Sequence, residues 1–297
     1  MKVLVFGSFN IDHVYAMPHL PDRGETLYCS GYEVHVGGKG LNQALALQKA
    51  GARTFAAGKV GPDGAYLTDY LKSGGVDVSA VAVSDVPTGH TIIECDPDGQ
   101  NQMILFGGAN RVITEADCDA VLAAHGDAAL LLTEYETSCV EPMLRKAKAA
   151  GIRTAINPSP FVDALRDFPY ELADCIVLNQ SEGESITGET DPAQVVRALY
   201  ARNHGEIILT LGAHGAIYYN GDALVQMPAY RVNAVDTTGA GDTFTGYCLQ
   251  ALLDGKSPQE ALRIGQAAAA IEVTRPGAAE TIPSRDQVEA FLQAQGE

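Results

Sequence analysis

Basic residues are scarce in this chain of 297 residues. Twenty Lys and Arg stand against 37 Asp and Glu, a formal charge of -17. That deficit argues against a nucleic-acid footprint and against binding to an anionic membrane surface. Any polyphosphate ligand must be held by backbone amides, a divalent cation and one or two local cations. The six cysteines (Cys29, Cys95, Cys118, Cys139, Cys175 and Cys248) show no C-x-x-C pair and no zinc-finger spacing to histidine. They read as small hydrophobes in a reducing compartment. Long apolar runs are also missing. The run Val3 to Phe6 ends at Gly7-Ser8 and is too short for a signal-peptide core or a membrane span. The expectation is a soluble, cytoplasmic protein. There is no long linker, internal repeat or low-complexity tract, and apolar residues at 46% give an ordinary globular balance.

The most informative segment that is present is Val235-Asp236-Thr237-Thr238-Gly239-Ala240-Gly241-Asp242-Thr243-Phe244. It reads as a strand end, a glycine turn and a helix running from Asp242 to about Leu253. Gly239 and Gly241 leave the backbone bare, so the amides of Gly239, Ala240 and Gly241 can converge on one anion, reinforced by the helix dipole. Asp242 places a carboxylate in that anion site. One reading is a helix N-cap. The other is a base that takes a proton from a hydroxyl while the amides hold the phosphoryl group it attacks.

From about Leu41 onward, strand and helix signals alternate. Asn42 to Ala50 reads as a helix closed by Gly51. Thr114 to Ala124 opens on an N-cap threonine. Ser138-Cys139-Val140-Glu141 and Ser257-Pro258-Gln259-Glu260 both have capping-box spacing. The apolar runs Ala129 to Thr133, Arg153 to Ile156, Cys175 to Leu178 and Glu206 to Leu211 lie between them. This alternation predicts an α/β fold with a mostly parallel sheet covered on both faces. Each run ends in polar residues: Glu136, Asn157 to Pro160, Asn179 to Glu182, and Thr210 to Gly212. Ligands bind outside the carboxyl ends of strands in such sheets, so these groups should meet the Gly239 turn at one edge. Two stretches fall outside the alternation. Residues 13–36 carry short extended runs, Glu25 to Cys29 and Tyr32 to Val36. Residues 87–107 read as a hairpin around Asp96-Pro97-Asp98-Gly99. They are expected to meet as a small separate sheet.

A second glycine-rich helix entry is Gly37-Gly38-Lys39-Gly40-Leu41-Asn42-Gln43-Ala44. It is not a Walker A loop, because its spacing differs and no Ser or Thr follows Lys39. Its glycines can bring backbone close to a polyol that Lys39 and Asn42 would bond. Asn10 and Asp12 project from one side of an extended segment and either bind adjacent hydroxyls or form an Asx turn. A dinucleotide fingerprint is missing after the first strand, which argues against a nicotinamide dehydrogenase. A non-catalytic sensor would need no base in its anion site.

Together these motifs resemble the ribokinase-like (pfkB) carbohydrate kinases, and within that family the ribokinases. The likeness runs in order through Gly7 to His13, Gly37 to Ala44, Val60 to Gly64, Gly107 to Asn110, Asn157 to Pro160, Asn179 to Glu182, Thr210 to Gly215, Val235 to Phe244 and Ala267 to Gly277. The resemblance implies one three-layer kinase domain over residues 1–297, with a β lid formed by about 13–36 and 87–107. It implies Asp242 as catalytic base, with the amides of Gly239, Ala240 and Gly241 as anion hole. It places Asn10, Asp12, Gly38, Lys39, Asn42, Thr91 and Glu136 against the sugar. Asn179, Glu182, Thr210, Gly212, Gly215, Gly241 and Gln266 would serve ATP, with Glu182 also organising magnesium indirectly. Asp236, Thr238, Arg275, Gly277 and Thr281 would form a monovalent-cation site, usually for potassium. A homodimer through the lid is implied as well. His90 and Thr91 depart from the small apolar residues usual near the sugar, and Gln266 stands where a histidine often meets adenine. The expected reaction is ATP-dependent phosphorylation of a sugar hydroxyl, D-ribose to ribose 5-phosphate. The alternative acceptors are fructose, another sugar, a sugar acid or a nucleoside.

Overall fold

Short apolar runs such as Lys2–Phe6 and Leu130–Glu134 are buried on both sides, as expected of parallel strands sandwiched between helices. The structure, a computed structural model, describes residues 1–98 and 100–296. Gly99, the last position of the turn expected at 96–99, lies outside the described residues. In chain order the elements are β1 (Lys2–Phe6), β2 (Asn10–Ala16), β3 (Gly31–Gly37), α1 (Lys39–Ala50), β4 (Arg53–Val60), α2 (Ala65–Ser73), β5 (Asp77–Val83), β6 (Gly89–Cys95) and β7 (Asn101–Phe106). There follow α3 (Glu115–His125), β8 (Leu130–Glu134), α4 (Val140–Ala149), β9 (Arg153–Asn157), β10 (Cys175–Asn179), α5 (Gln180–Thr187), α6 (Pro192–Asn203) and β11 (Glu206–Thr210). The chain closes with β12 (Ala216–Tyr219), β13 (Leu224–Met227), α7 (Ala240–Leu253), α8 (Pro258–Glu272) and α9 (Arg285–Ala294).

Nine strands form the main sheet in the order β13-β12-β11-β10-β9-β8-β1-β4-β5. All pairs are parallel except β11 with β12 and β12 with β13. Strand alternation splits the core in two. Val3 and Val5 pack with residues of α1, α2, α7, α8 and α9, whereas Leu4 and Phe6 pack with residues of α3 to α6. The three-layer expectation therefore holds. The polar strand ends also converge, because β8, β9, β10 and β11 are consecutive neighbours in the sheet.

The two stretches outside the alternation meet in a second sheet, ordered β3-β2-β6-β7. Asp12 pairs with Thr91, and Ile11 with His90. One face therefore carries Asn10, Asp12 and Thr91, and the other carries Ile11, His13 and His90. Two local expectations fail. Glu25 to Cys29 joins no ladder, since only Gly31–Gly37 pairs with β2. Ser138 does not cap α4. Cys139, at φ 61, is the N-cap, and the Ser138 hydroxyl instead donates to the Ile113 carbonyl (2.8 Å). The box at Ser257 with Glu260 is formed, and the expected N-cap Thr114 closes a box with Asp117.

Candidate active site

The glycine turn opens α7 earlier than the sequence suggests. The helix starts at Ala240, and Gly239 is its N-cap at φ 81, a left-handed conformation that suits glycine. Asp242 is thus the third helical residue and does not cap. Its carboxylate, 7% exposed, accepts a bond from Gln43 Nε2 (2.8 Å) at Oδ1 and from Asn42 Nδ2 (3.1 Å) at Oδ2. Gln43 Nε2 also donates to Asn157 Oδ1 (3.1 Å), and Asn157 Nδ2 donates to the Val177 carbonyl (2.8 Å). A chain of amides thereby fixes the carboxylate relative to β9 and β10. Burial pushes the Asp242 carboxyl above its ordinary range, while Lys39 and the two amides favour the charged form. The result is a carboxylate with enhanced proton affinity beside an anion-binding turn. Around Gly241 no atom lies within 4 Å of the place a side chain would occupy, which leaves the first-turn amides open to a ligand.

Lys39 opens α1. Burial pulls its pKa down, but Asp242, Glu136, Glu182 and Glu134 outweigh this and raise it. Lys39, Asn179, Glu182, Thr210, Gly239, Gly241 and Asp242 line one cavity of about 210 Å³. A larger, mostly apolar cavity of about 440 Å³ between β5 and α3, lined by Ala80, Val121 and Ala124, holds none of the expected site residues. The smaller one gathers the polar and charged groups.

The other expected groups fall into three sets. In the set expected to face the acceptor, Glu136 Oε2 accepts from the Ser8 hydroxyl (2.6 Å) and from Asn10 Nδ2 (3.2 Å). Asp12 lies against Thr91, and burial pushes it up to about 6. Gly38, at φ 98, packs so closely that an added Cβ would stand 2.7 Å from the Ser8 carbonyl oxygen. His90 does not join this set. It turns to the opposite sheet face, edge-on to His13 (5.8 Å) and beside Phe106 (5.0 Å).

In the set expected to serve the nucleotide, Asn179 and Glu182 form a reciprocal capping box on α5, with Glu182 N to Asn179 Oδ1 at 2.8 Å and Asn179 N to Glu182 Oε2 at 3.0 Å. That accounts locally for the Asn-x-x-Glu spacing. Gly212 and Gly215 take φ 56 and φ 105 in the turn after β11. Gln266 donates to the Met227 carbonyl (3.1 Å), tying α8 to β13.

In the third set, the Asp236 carboxylate accepts from Thr238 N (2.9 Å) and Gly277 N (3.0 Å), joining the loops before α7 and after α8. Thr281 donates to the Gly277 carbonyl (3.0 Å), and Arg275 N to the Glu272 carbonyl (3.0 Å). Beside them Glu272 is wholly buried against Thr243, and burial pushes it up to about 8. An acidic pocket of this kind fits a cation.

Three residues escaped the sequence reading. Gln43 and Glu272 look like ordinary helix residues, and their contacts depend on chain crossings that no local pattern encodes. Glu134 had a signal. A charge ending an apolar strand, two positions before Glu136, is unusual.

With this geometry in hand, the family model described as pfkB family carbohydrate kinase matches residues 1–285. A ribokinase of Haemophilus influenzae is 35% identical over 300 residues, covering 97% of this chain and 97% of that protein. The crystal structure of ribokinase from Thermotoga maritima superposes with a TM-score of 0.89 at 32% identity, covering 99% of both chains. Arabidopsis thaliana ribokinase, solved with ribose and ATP, gives 0.85 at 29% identity over 98% of each chain. The chain belongs to the pfkB family of carbohydrate kinases.

Proposed function

We propose that this kinase transfers the γ-phosphoryl group of ATP to D-ribose, giving ribose 5-phosphate and ADP. The observation that carries the reading is the Asp242 carboxylate, buried and held by Asn42 and Gln43 at the open first turn of α7. Asp242 takes the proton of the sugar hydroxyl. The hydroxyl oxygen bonds the γ-phosphorus, the bond to the ADP oxygen breaks, and the amides of Gly239, Ala240 and Gly241 receive the charge that develops. Lys39, which shares the cavity with Asp242 and Glu182, would meet the transferred phosphoryl group. Asn10, Asp12, Gly38, Asn42, Thr91 and Glu136 orient the acceptor. Thr210, Gly212, Gly215 and Gln266 serve the nucleotide, with Asn179 and Glu182 organising its phosphates.

Magnesium near Glu182 would neutralise phosphate charge, and potassium near Asp236, Thr238, Arg275, Gly277 and Thr281 would stiffen the turn. Thr91 and Asp12 stand on the sheet face toward the acceptor, so that sheet serves as the lid that excludes water. Its exposed outer face suits a homodimer. Among the described residues no helix is long and apolar enough to cross a membrane, and the six cysteines are free; we place the enzyme in the cytoplasm.

The acceptor wall of Asn10, Asp12, Lys39 and Glu136 favours a bare polyol over a nucleoside, which calls for an aromatic or apolar surface to stack its base. Initial rates with ribose, 2-deoxyribose, fructose and adenosine at matched concentrations, read by ADP release, test the assignment. Ribose should give the highest kcat/KM. Inactivity on ribose beside clear turnover of another acceptor overturns it.

A further inference from the structure

The carboxyl of Glu134 has no part in that mechanism, yet it occupies the junction of three segments that hold the acceptor. It is fully buried at the end of β8. One oxygen accepts the Ser8 N–H and the other the Glu136 N–H. Gly7 and Gly40 make the space for it: a Cβ on Gly7 would stand 2.7 Å from Glu134 Oε1 and 2.6 Å from Gly40 Cα. Ser8 then carries the arrangement outward. Its hydroxyl donates to Glu136, its carbonyl accepts Leu41 N (3.1 Å), and two residues on Asn10 donates to the same Glu136 oxygen.

Two buried carboxyls, separated by one residue, thus share Ser8 as a neighbour. The charged groups around them are Lys39 at the start of α1, Asp242 on α7 and Asp12 on β2. One cation faces four acids, so the site does not hold both carboxyls charged without loss. Burial, then Glu136, pushes Glu134 up to about 8. Glu136 is also raised by burial, but Lys39 and the Ser8 hydroxyl favour its charged form. Lys39 and the Ser8 and Glu136 N–H groups also favour charge on Glu134, so the pair as a whole, with one cation among four acids, keeps its last proton above the ordinary carboxylate range.

We propose that Glu134 is a positioning residue for the acceptor, and that with Glu136 it forms a carboxyl pair holding a single proton, whose loss sets two like charges against each other and weakens acceptor binding. This deepens the sugar-kinase reading and rests on it. Glu134→Gln keeps the volume, stays neutral at every pH and accepts only one of the two backbone N–H groups, whereas Glu134→Ala removes the bridge, so the Gln variant is read by the pH dependence of its KM and not by the absolute value. The experiment measures kcat and the KM of ribose and of ATP from about pH 6 to about pH 9.5, after melting curves confirm that each variant folds.

The wild-type ribose KM should rise about threefold or more through the alkaline range while the ATP KM stays flat. In Glu134→Gln that rise should vanish. In Glu134→Ala the ribose KM should be about tenfold higher at every pH, with a smaller change in kcat. An alkaline rise that persists in Glu134→Gln overturns the proposal, as does an Ala variant whose ATP KM moves as much as its ribose KM. Absence of turnover with any acceptor would instead sink the kinase assignment. The pair is then read directly by carboxyl ¹³C NMR: a resonance missing in Glu134→Gln should titrate well above the ordinary glutamate range, and an ordinary titration overturns the pair.

Discussion

The two sheets of this protein solve opposite problems. At the carboxyl edge of the nine-stranded sheet a chain of side-chain hydrogen bonds fixes Asp242. The carboxylate is held by Gln43, Gln43 by Asn157, and Asn157 by the backbone of β10. The four-stranded sheet is loose by comparison. Its edge strand β7 is exposed along its whole length, with Ile104 at 60% and Phe106 at 47%. Its outer face is an aromatic ladder in which His13 stacks on Tyr32 (6.0 Å) and Tyr15 leans on Tyr32 (5.0 Å). On the proposed reading, electrostatic work on a developing charge requires groups that do not reorganise and would sit on the packed sheet. Admission and enclosure of the substrate require movement and would fall to the sheet with little buried surface.

If that division holds, damage to the packed side should strike turnover, and damage to the open side should strike binding and assembly. Asp242→Asn should have the largest effect. It keeps the shape and removes the base, so kcat should fall about a hundredfold or more while ATP binding, followed by calorimetry, persists. Wild-type turnover in this variant would move the base elsewhere. Gly239→Ala should come next. The residue has φ +81, and its Cβ would stand 2.8 Å from Glu272 Oε1 and 3.1 Å from Ala278 Cβ. Holding a non-glycine residue there costs about 1–3 kcal/mol. Both kcat and the melting temperature should drop, kcat by about tenfold, as the anion turn is displaced. A variant with unchanged kcat would show that the turn is not held where the phosphoryl group passes.

The same division governs what the sequence reveals. The packed side was largely legible, because strands with two buried faces are continuous apolar runs, and their polar ends at Glu136, Asn157, Asn179 and Thr210 announce the edge where ligands gather. Capping chemistry is local, so Thr114 and Ser257 could be read directly. Ser138 could not, because Ile113 and Asn110, about 25 residues earlier, compete for its hydroxyl. Gln43 and Asp242 lie 199 residues apart in the chain, and nothing in either neighbourhood records that they touch. On the open side, the position of His90 turned on sheet register. One residue separates it from Thr91, and that single step sends it to the opposite face.

The outer face supplies a sharper test of the comparison. Ile104→Lys adds a charge to an exposed apolar strand and disturbs no buried contact of the chain itself. Light scattering should show dimers of the wild type and a shift toward monomer in the variant. The ribose KM should rise several-fold, about threefold, with kcat changed less, since the base is untouched. An unchanged mass for the variant would remove this face from the interface, and a monomeric wild type would remove the dimer altogether.

The smallest effect probes the one place where the open sheet touches chemistry. Asp12 is pushed up to about 6, first by burial, then by Glu136 and Glu280, while Thr91 and His35 pull it down. An acceptor hydroxyl donates better to a carboxylate than to a neutral acid. The ribose KM should therefore rise as the pH falls through about 6 and reach its minimum near neutrality, below the alkaline rise assigned to the Glu134–Glu136 pair. Thr91→Val removes a hydroxyl that favours the charged form, so it moves this transition to higher pH. At neutral pH the ribose KM should increase by about twofold to threefold, with kcat unchanged. A KM profile that does not move would mean that Asp12 faces no acceptor hydroxyl, and that the lid encloses the sugar without gripping it.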